Sequence, residues 1–302
     1  MKKTFLLTAI LTPLLYGCHS VGKTERLHVN KGKAIIAADE SFEEVVKAQV
    51  NAYKSHYPET EFEVIYAPEQ KAIRLMLSDS ADIAVVSREL SADEQKYFTS
   101  RRIDYTPAEM AIDAVVLVVN KDFELNEISE ARVASILKGE DEAFQLVFDN
   151  GSSSNLNFFL NHFKLEKVSN KTVSAAKGTE DVFAYVENHK KAIGVIGLNW
   201  ISDEDDPNVR RRKSAVKILK VSKPGQVAEF ASLATLRNQS YPFAKSIYLH
   251  TTQEQWGVAK GFVRFACSQI GQLVVEKMGL QPFYLIPKKY EMSETPEINV
   301  TE

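Results

Sequence analysis

From Ala111 to Asn120 the chain reads AIDAVVLVVN, apolar at nearly every position. A strand with one wet face alternates apolar and polar residues, whereas a run this continuous must be covered on both faces. That points to a sheet with helices on either side. The surrounding sequence supplies them. Lys33 to Ala38 is a short apolar strand that stops at Asp39-Glu40-Ser41, and a helical pattern follows in which Phe42, Val45, Val46, Gln49, Val50 and Tyr53 share a face until Pro58. Asp39 or Ser41 can cap that helix. Phe62–Tyr66 reads as a strand, Glu69–Leu77 as a helix, Ala81–Ser87 as a strand, and about Ser91–Phe98 as a helix. Strand–helix alternation of this kind means an α/β fold with parallel strands.

The second half continues the pattern. SEARVASILKG ends at Gly139, a fitting helix C-cap, and Gln145–Phe148 is a strand. The polar turn Asn150–Asn155 leads into a helix holding Leu156, Phe159, Leu160 and Phe163. Further elements are a helix over about Glu180–Asn188, strands over Ala192–Leu198, Lys217–Val221 and Ser246–Thr251, and a weak helix between Ala228 and Tyr241. Gly257–Lys277 reads as one long helical region, broken or bent near Gly271. Ser202–Lys213, with DEDD beside RRRK, reads as a solvated surface loop. The acidic tail after Met292 has little to bury.

The first residues stand apart from the fold. Lys2 and Lys3 precede the apolar run Phe5–Leu15, which is too short to span a bilayer, and Leu-Tyr-Gly-Cys follows. This resembles a bacterial lipoprotein leader over residues 1–17, with Cys18 as the lipid attachment site and 18–32 as a tether. The expected location is the periplasm or cell envelope, anchored to a bacterial membrane by lipid on Cys18. The other cysteine, Cys267, lies in an apolar helical pattern and is expected to be a buried small hydrophobe. No other apolar stretch is long, so the body is expected to be soluble.

Composition excludes several chemistries. The 302 residues carry 37 Lys and Arg against 40 Asp and Glu, a net charge of −3, which does not favour nucleic acid. Two cysteines make no disulfide framework, and the six histidines show no metal-ligand spacing. No cofactor or metal is implied. Gly-x-Ser-x-Gly is absent, and no Ser–His–Asp arrangement suggests itself, so an enzyme is not expected.

Three polar clusters sit at strand-to-helix junctions: Asp39–Phe42, Ser87-Arg88 and Gly151–Asn155. Ligands of α/β sheets gather beyond the carboxyl ends of strands, where helix N-termini offer free N–H groups. Such loops can wrap an oxyanion. Each cluster taken alone is equally well a turn and an N-cap.

In order and spacing, four stretches resemble the periplasmic phosphate-binding protein family, the substrate receptors of phosphate ABC transporters. They are SADIAVVSREL, AIDAVVLVVNKD, FDNGSSSNLNFF, and SYPFAKSIYLH followed by GQLVVEKMG and QPF. The likeness covers roughly residues 33–290. It implies a two-lobed periplasmic binding protein fold, with parallel-rich mixed sheets, an interlobe cleft and two crossing strands. One lobe would be 33–115 plus 246–302, the other 116–245. It implies a ligand site of Ser41 and Phe42, Ser87 and Arg88, and Ser152, Ser153, Ser154 and Asn155, with backbone donors left free for one small anion. The implied partners are phosphate or a related small anion and ABC transporter membrane subunits, with the protein a monomer.

The chain departs from that family at charged positions. Ser87 stands where an Asp often accepts the phosphate proton, and Phe148-Asp149-Asn150 stands where an Arg often precedes the third loop. Lys245 replaces a common Arg, and Asp39 and Glu40 would repel a dianion if they pointed inward. Arg88 is the remaining cation for a bidentate clamp, unless it faces solvent beside Glu89. Asp113 either touches ligand or fixes the crossing strand. The expected function is capture of phosphate or a similar small oxyanion for an ABC transporter. The alternative is the same fold used as a sensory or binding lipoprotein for a different ligand.

Overall fold

The computed structural model describes residues 27–285. Residues 1–17, expected as a leader, Cys18 and the tail beyond Met292 fall outside that range. The chain begins with β1 (Lys31–Asp39), a 3-10 turn (Glu40–Phe42), α1 (Glu43–His56), β2 (Glu59–Ala67), α2 (Glu69–Leu77), β3 (Ile83–Val86), α3 (Ala92–Arg101) and β4 (Ala108–Asn120). The middle contributes β5 (Glu127–Ser129), α4 (Glu130–Lys138), β6 (Gln145–Phe148), α5 (Ser154–His162), β7 (Val173–Ala175), α6 (Thr179–Asn188) and β8 (Ala192–Gly197). A second 3-10 turn (Leu198–Trp200), α7 (Pro207–Ala215), β9 (Val216–Ile218), β10 (Lys220–Ser222) and α8 (Leu233–Arg237) follow. The chain returns through β11 (Ala244–Thr251), α9 (Val258–Ala266), α10 (Gln269–Lys277) and β12 (Gln281–Pro282).

The strands run in the order β2-β1-β3-β11-β4-β8-β6-β7, with β9 and β12 also on β4. Each end of the sheet is parallel: β1 with β2 and β3, and β6 with β7 and β8. The middle is antiparallel, since β11 runs against β3 and β4, and β4 against β8. The fold is thus a mixed, two-lobed α/β architecture, as the resemblance implies. Its two parallel halves are joined through β4 and β11. The N-terminal half of β4 pairs with β11 and β12, its C-terminal half with β8 and β9. That double engagement explains the unbroken apolar run. Ala114 and Val115–Val119 are completely buried, and each valine contributes roughly 1.5–3 kcal/mol on leaving water.

Several local expectations hold and several need correction. The helix Glu69–Leu77 and the strand Gln145–Phe148 are found with those bounds, and Gly139 caps α4 at a positive φ of 78°. The segment 202–213 is not wholly a loop. Asp206 caps α7 and Pro207 occupies its first turn, an arrangement Pro favours because it has no N–H to lose. The strand expected over Lys217–Val221 is two short strands parted at Leu219, one on β4 and one on β5. The helical break in 257–277 falls at Cys267-Ser268, not near Gly271. Gly271 is instead needed inside α10, where an added Cβ would stand 2.3 Å from the Phe265 carbonyl oxygen. Cys267 is half-buried, and burial pushes its thiol up to about 11.

The RRRK run also breaks its expected pattern. Arg212 is 6% exposed. Its guanidinium pairs with Glu180 of α6 at 2.6 Å and with Glu44 of α1 at 3.2 Å, and it lies 4.6 Å over the Trp200 ring. It therefore ties α7 and α6 to the first helix of the other lobe. Arg212→Leu is expected to lower unfolding stability by about 2–3 kcal/mol, the range for lost hydrogen bonds to charged groups. Arg211→Leu, at an exposed neighbour, should change it by under about 0.5 kcal/mol. Urea melts of the two variants check this, and equal effects would contradict the tie.

Candidate functional site

Asp39 ends β1 and caps the 3-10 turn that follows, so its side chain points beyond the strand's carboxyl end. Ser154 opens α5 in the other lobe. The two meet. Asp39 Oδ1 accepts the Ser41 N–H at 3.0 Å and the Ser154 hydroxyl at 2.7 Å, and it also takes a hydrogen bond from the Ser41 hydroxyl. Asp39 Oδ2 accepts the Ser154 N–H at 3.3 Å. The two serine hydroxyls lie 2.6 Å apart. One carboxylate thus draws donors from the first and third loops, where an oxyanion held by both lobes would sit.

Lys245 completes the group from β11. Its ammonium donates to Ser154 Oγ at 2.9 Å, Ser41 Oγ at 3.3 Å and Asn155 Oδ1 at 2.6 Å. Its charge therefore reaches Asp39 through two hydroxyls. The same ammonium lies 4.5 Å from the Phe42 ring centroid, which places Phe42 as a cation–π face. Directly across the sheet from Lys245 stands Asp113 of β4. Asp113 accepts the Ala114 N–H at 2.8 Å, the Asn199 N–H at 3.2 Å and the Asn199 amide at 2.8 Å, so it fixes the crossing strand to the second 3-10 turn. Asn199 and the Trp200 indole both donate to the Ser41 carbonyl, at 2.7 and 3.1 Å, closing the seam between lobes. Gly197 makes room here, since a Cβ would meet Asn199 Nδ2 at 2.6 Å and Asp113 Oδ2 and Ser41 O at 3.0 Å.

The electrostatics are lopsided. Asp39, Asp113 and Asp149 are fully buried around one lysine that is 4% exposed. Burial, with the Asp39 charge added, pushes the Asp149 carboxyl up to about 7. The Asn155 amide approaches its Oδ2 at 3.5 Å and the Ser153 side chain also favours its charged form, while its Oδ1 accepts no hydrogen bond from the described residues. Burial also raises Asp113, against the pull of Lys245. Glu40 is raised chiefly by burial too, while it bridges the lobes to Asn150 at 3.0 Å.

The second loop lies apart from this group and is satisfied in the same way. Glu69, 1% exposed, accepts the Ser87 N–H at 2.8 Å and its hydroxyl at 2.5 Å, and takes Asn157 of the other lobe at 3.2 Å. Arg88 is already paired with protein acceptors. Its guanidinium donates to Glu94 at 2.8 and 3.0 Å, to Gln70 at 3.0 Å and to the Glu89 carbonyl at 2.9 Å. That pairing holds the Glu94 carboxyl down to about 2. A cavity of about 330 Å³ between the lobes is lined by Glu69, Ser87, Arg88, Asn157, Phe158, Asn161 and His162.

Of the residues expected at the site, Ser41, Phe42, Ser154 and Asn155 converge. Ser153 is the N-cap of α5, accepting the Leu156 N–H, and Ser152 is exposed with its own N–H on Asn150. The backbone donors expected to be free are not: the N–H groups of Ser41, Ser154 and Ser87 are all held by protein carboxylates. Asp39 points inward, which is the condition under which it would repel a dianion. Sequence reading missed Asn199, Trp200 and Glu69. The junction after Gly197 carried the same strand-to-helix signal as the other three.

Comparison with known proteins gives the setting. The PBP superfamily domain matches residues 28–269. The phosphate-binding protein PstS of Staphylococcus saprophyticus is 22% identical over 228 residues, 70% of this chain and 67% of that protein. A phosphate-binding protein PstS 2 of Streptococcus pneumoniae is 28% identical over 109 residues, only 36% of this chain and 35% of its own length. The crystal structure of a putative phosphate ABC transporter substrate-binding protein from Clostridium perfringens, with bound phosphate, superposes with a TM-score of 0.69 at 19% identity. That match covers 84% of this chain and all of that one. This chain belongs to the PBP superfamily.

Proposed function

We propose that this protein is an extracytoplasmic binding lipoprotein, anchored through Cys18, whose cleft serves a ligand other than phosphate. The observation that carries this reading is Asp39, which takes the donors of both lobes that would otherwise hold an oxyanion. A phosphate dianion brought to that point would meet the Asp39 carboxylate directly, with buried Asp113 and Asp149 and one ammonium around it. Two like unit charges 4 Å apart repel by about 4 kcal/mol at an effective dielectric near 20. Few donors remain to offset that. The interlobe cavity of about 330 Å³ is lined by both Glu69 and Arg88, 3.7 Å apart, with the Asn157 and Asn161 amides, and that balance of charge suits a small neutral polar solute. Lobes of 33–115 plus 246–302 and of 116–245, hinged on β4 and β11, would close around it.

A second reading is favoured by the relatives. The two relatives described above are phosphate-binding proteins, and a small anion delivered to ABC transporter membrane subunits is the job that likeness suggests. On this reading phosphate displaces Asp39, and Ser41, Ser154, Asn155 and Lys245 take the ligand.

Calorimetric titration of the mature protein separates the two. Phosphate and sulfate are expected to give no saturable heat at pH 8, in the wild type, while a panel of small polyols and amines is screened beside them. Asp39→Gly, which frees the Ser41 and Ser154 donors, is expected to gain anion binding. Saturation of the wild-type protein by micromolar phosphate would overturn the first reading and establish the second.

A further inference from the structure

The described residues begin at Leu27, and Leu27 marks one face of the molecule. Its Cβ lies 3.4 Å from the position a Cβ on Gly257 would take, next to Trp256. Trp256 is 51% exposed and Leu27 55%, large values for such side chains. Two hollows flank the indole. One, of about 620 Å³, runs past Cys267 to Tyr284; the other, of about 360 Å³, runs past Phe265 to the exposed Ile270. Two cations stand on Trp256 from one face of α9. Lys260 Nζ is 5.4 Å and the Arg264 guanidinium carbon 5.6 Å from the ring centroid. Arg264 makes no ion pair among the described residues. Among the described residues, Lys260 donates only to the Glu254 carbonyl, at 2.9 Å. Asp104 and Glu254 also line the larger hollow, so the positive charge is local to the Trp256 ridge.

An indole flanked by basic side chains suits the boundary between headgroups and water, where the ring is part-buried and the cations meet lipid phosphates. The chain's geometry says which surface is within reach. Leu27 lies nine positions beyond Cys18. At about 3.3–3.6 Å per position that spans at most about 32 Å. A lipid on Cys18 therefore keeps Leu27 within about 32 Å of the bilayer whatever path the tether takes, so the face that Leu27 marks is within reach of it.

We propose that the face of Leu27, Trp256, Lys260, Arg264 and Ile270 lies against the headgroup layer of the membrane that holds the Cys18 lipid. The occupant is the lipid surface, with Trp256 at the interface and the two cations on anionic headgroups. This rests on the lipid-anchored reading of Cys18. Docked this way, the protein holds a fixed orientation on the membrane.

The two tryptophans make the test direct, because Trp200 is 3% exposed and Trp256 is not. The acylated full-length protein is placed in phosphatidylethanolamine–phosphatidylglycerol vesicles whose acyl chains are brominated. Mass spectrometry of the Cys18 peptide is run on the same sample. Quenching of the exposed tryptophan emission is expected, lost in Trp256→Phe while the Trp200 signal stays. Lys260→Gln and Arg264→Gln should each lower the docked population about fivefold, from roughly 1 kcal/mol per basic residue at an anionic surface. An acylated Cys18 with an unquenched Trp256 overturns the proposal, and is the result expected if another copy or another segment of this chain covers the face. An unmodified Cys18 overturns the anchoring reading itself, and the proposal with it.

Discussion

Lys245→Met is expected to lower unfolding stability at pH 8 by about 3–5 kcal/mol, the range for leaving a buried charge without its partner. Methionine keeps most of the volume and apolar stem, so the loss reports the ammonium. Its removal strips donors from Ser41, Ser154 and Asn155, three groups that no water can reach. It also leaves Asp39, Asp113 and Asp149 with no cation among their neighbours in the site. The carboxyl groups can respond only by holding protons. The sign of the pH dependence follows. Stability of the variant should recover as pH falls toward 5, because protonation removes the repulsion that lysine had offset. Urea denaturation at pH 5 and pH 8 tests both parts. A loss under about 1 kcal/mol at pH 8 would mean that the serine hydroxyls and backbone alone carry the Asp39 charge.

Much of the scaffold was legible because it is local. The doubly covered β4 shows itself in ten residues, and α2 is bounded by the Pro68 turn before it and the polar Ser78-Asp79-Ser80 after it. What failed was long-range. Arg212 reads as one of four surface cations until Glu44, far upstream, is brought beside it. The strand after α7 parts at Leu219 because β4 and β5 compete for it, which no window around Leu219 reveals. The helical break falls at Cys267-Ser268 and not at the glycine, since Gly271 serves the close approach of two helix turns rather than a bend.

The site was legible as a place and not as a state. Strand-end loops at Ser41 and Ser154 do meet, as the junction argument required. The sequence also displayed the acidic surplus. It could not display that Asp39 turns inward and spends the donors itself, because that depends on a rotamer and on the distance between lobes. The same substitution occurs twice. Glu69 does for Ser87 what Asp39 does for Ser41 and Ser154. In each case a carboxylate from the chain fills an anion's hydrogen bonds without bringing a second negative charge, a milder demand on one lysine than a dianion would make.

Asp149→Asn is expected to stabilise the protein at pH 8 by something on the order of 3 kcal/mol, while leaving it near wild type at pH 4. The cause is a proton held in the folded state and lost in the unfolded one. Burial and the neighbouring Asp39 charge raise Asp149 from 3.8 to about 7. Between those values the folded protein binds more protons, so stability is greatest on the acid side and falls as pH rises, levelling above about 7. His250 acts in the opposite sense. Burial lowers it from 6.5 to about 4, so its contribution is lost as pH falls through that window. The two overlap, and the wild-type profile alone cannot separate them. The difference between wild type and Asp149→Asn can, because His250 is common to both. The asparagine keeps the size and the hydrogen-bonding edge toward Asn155 but has no proton to lose. Parallel stability profiles for the two proteins from pH 4 to pH 8 would mean that Asp149 titrates like an exposed carboxyl.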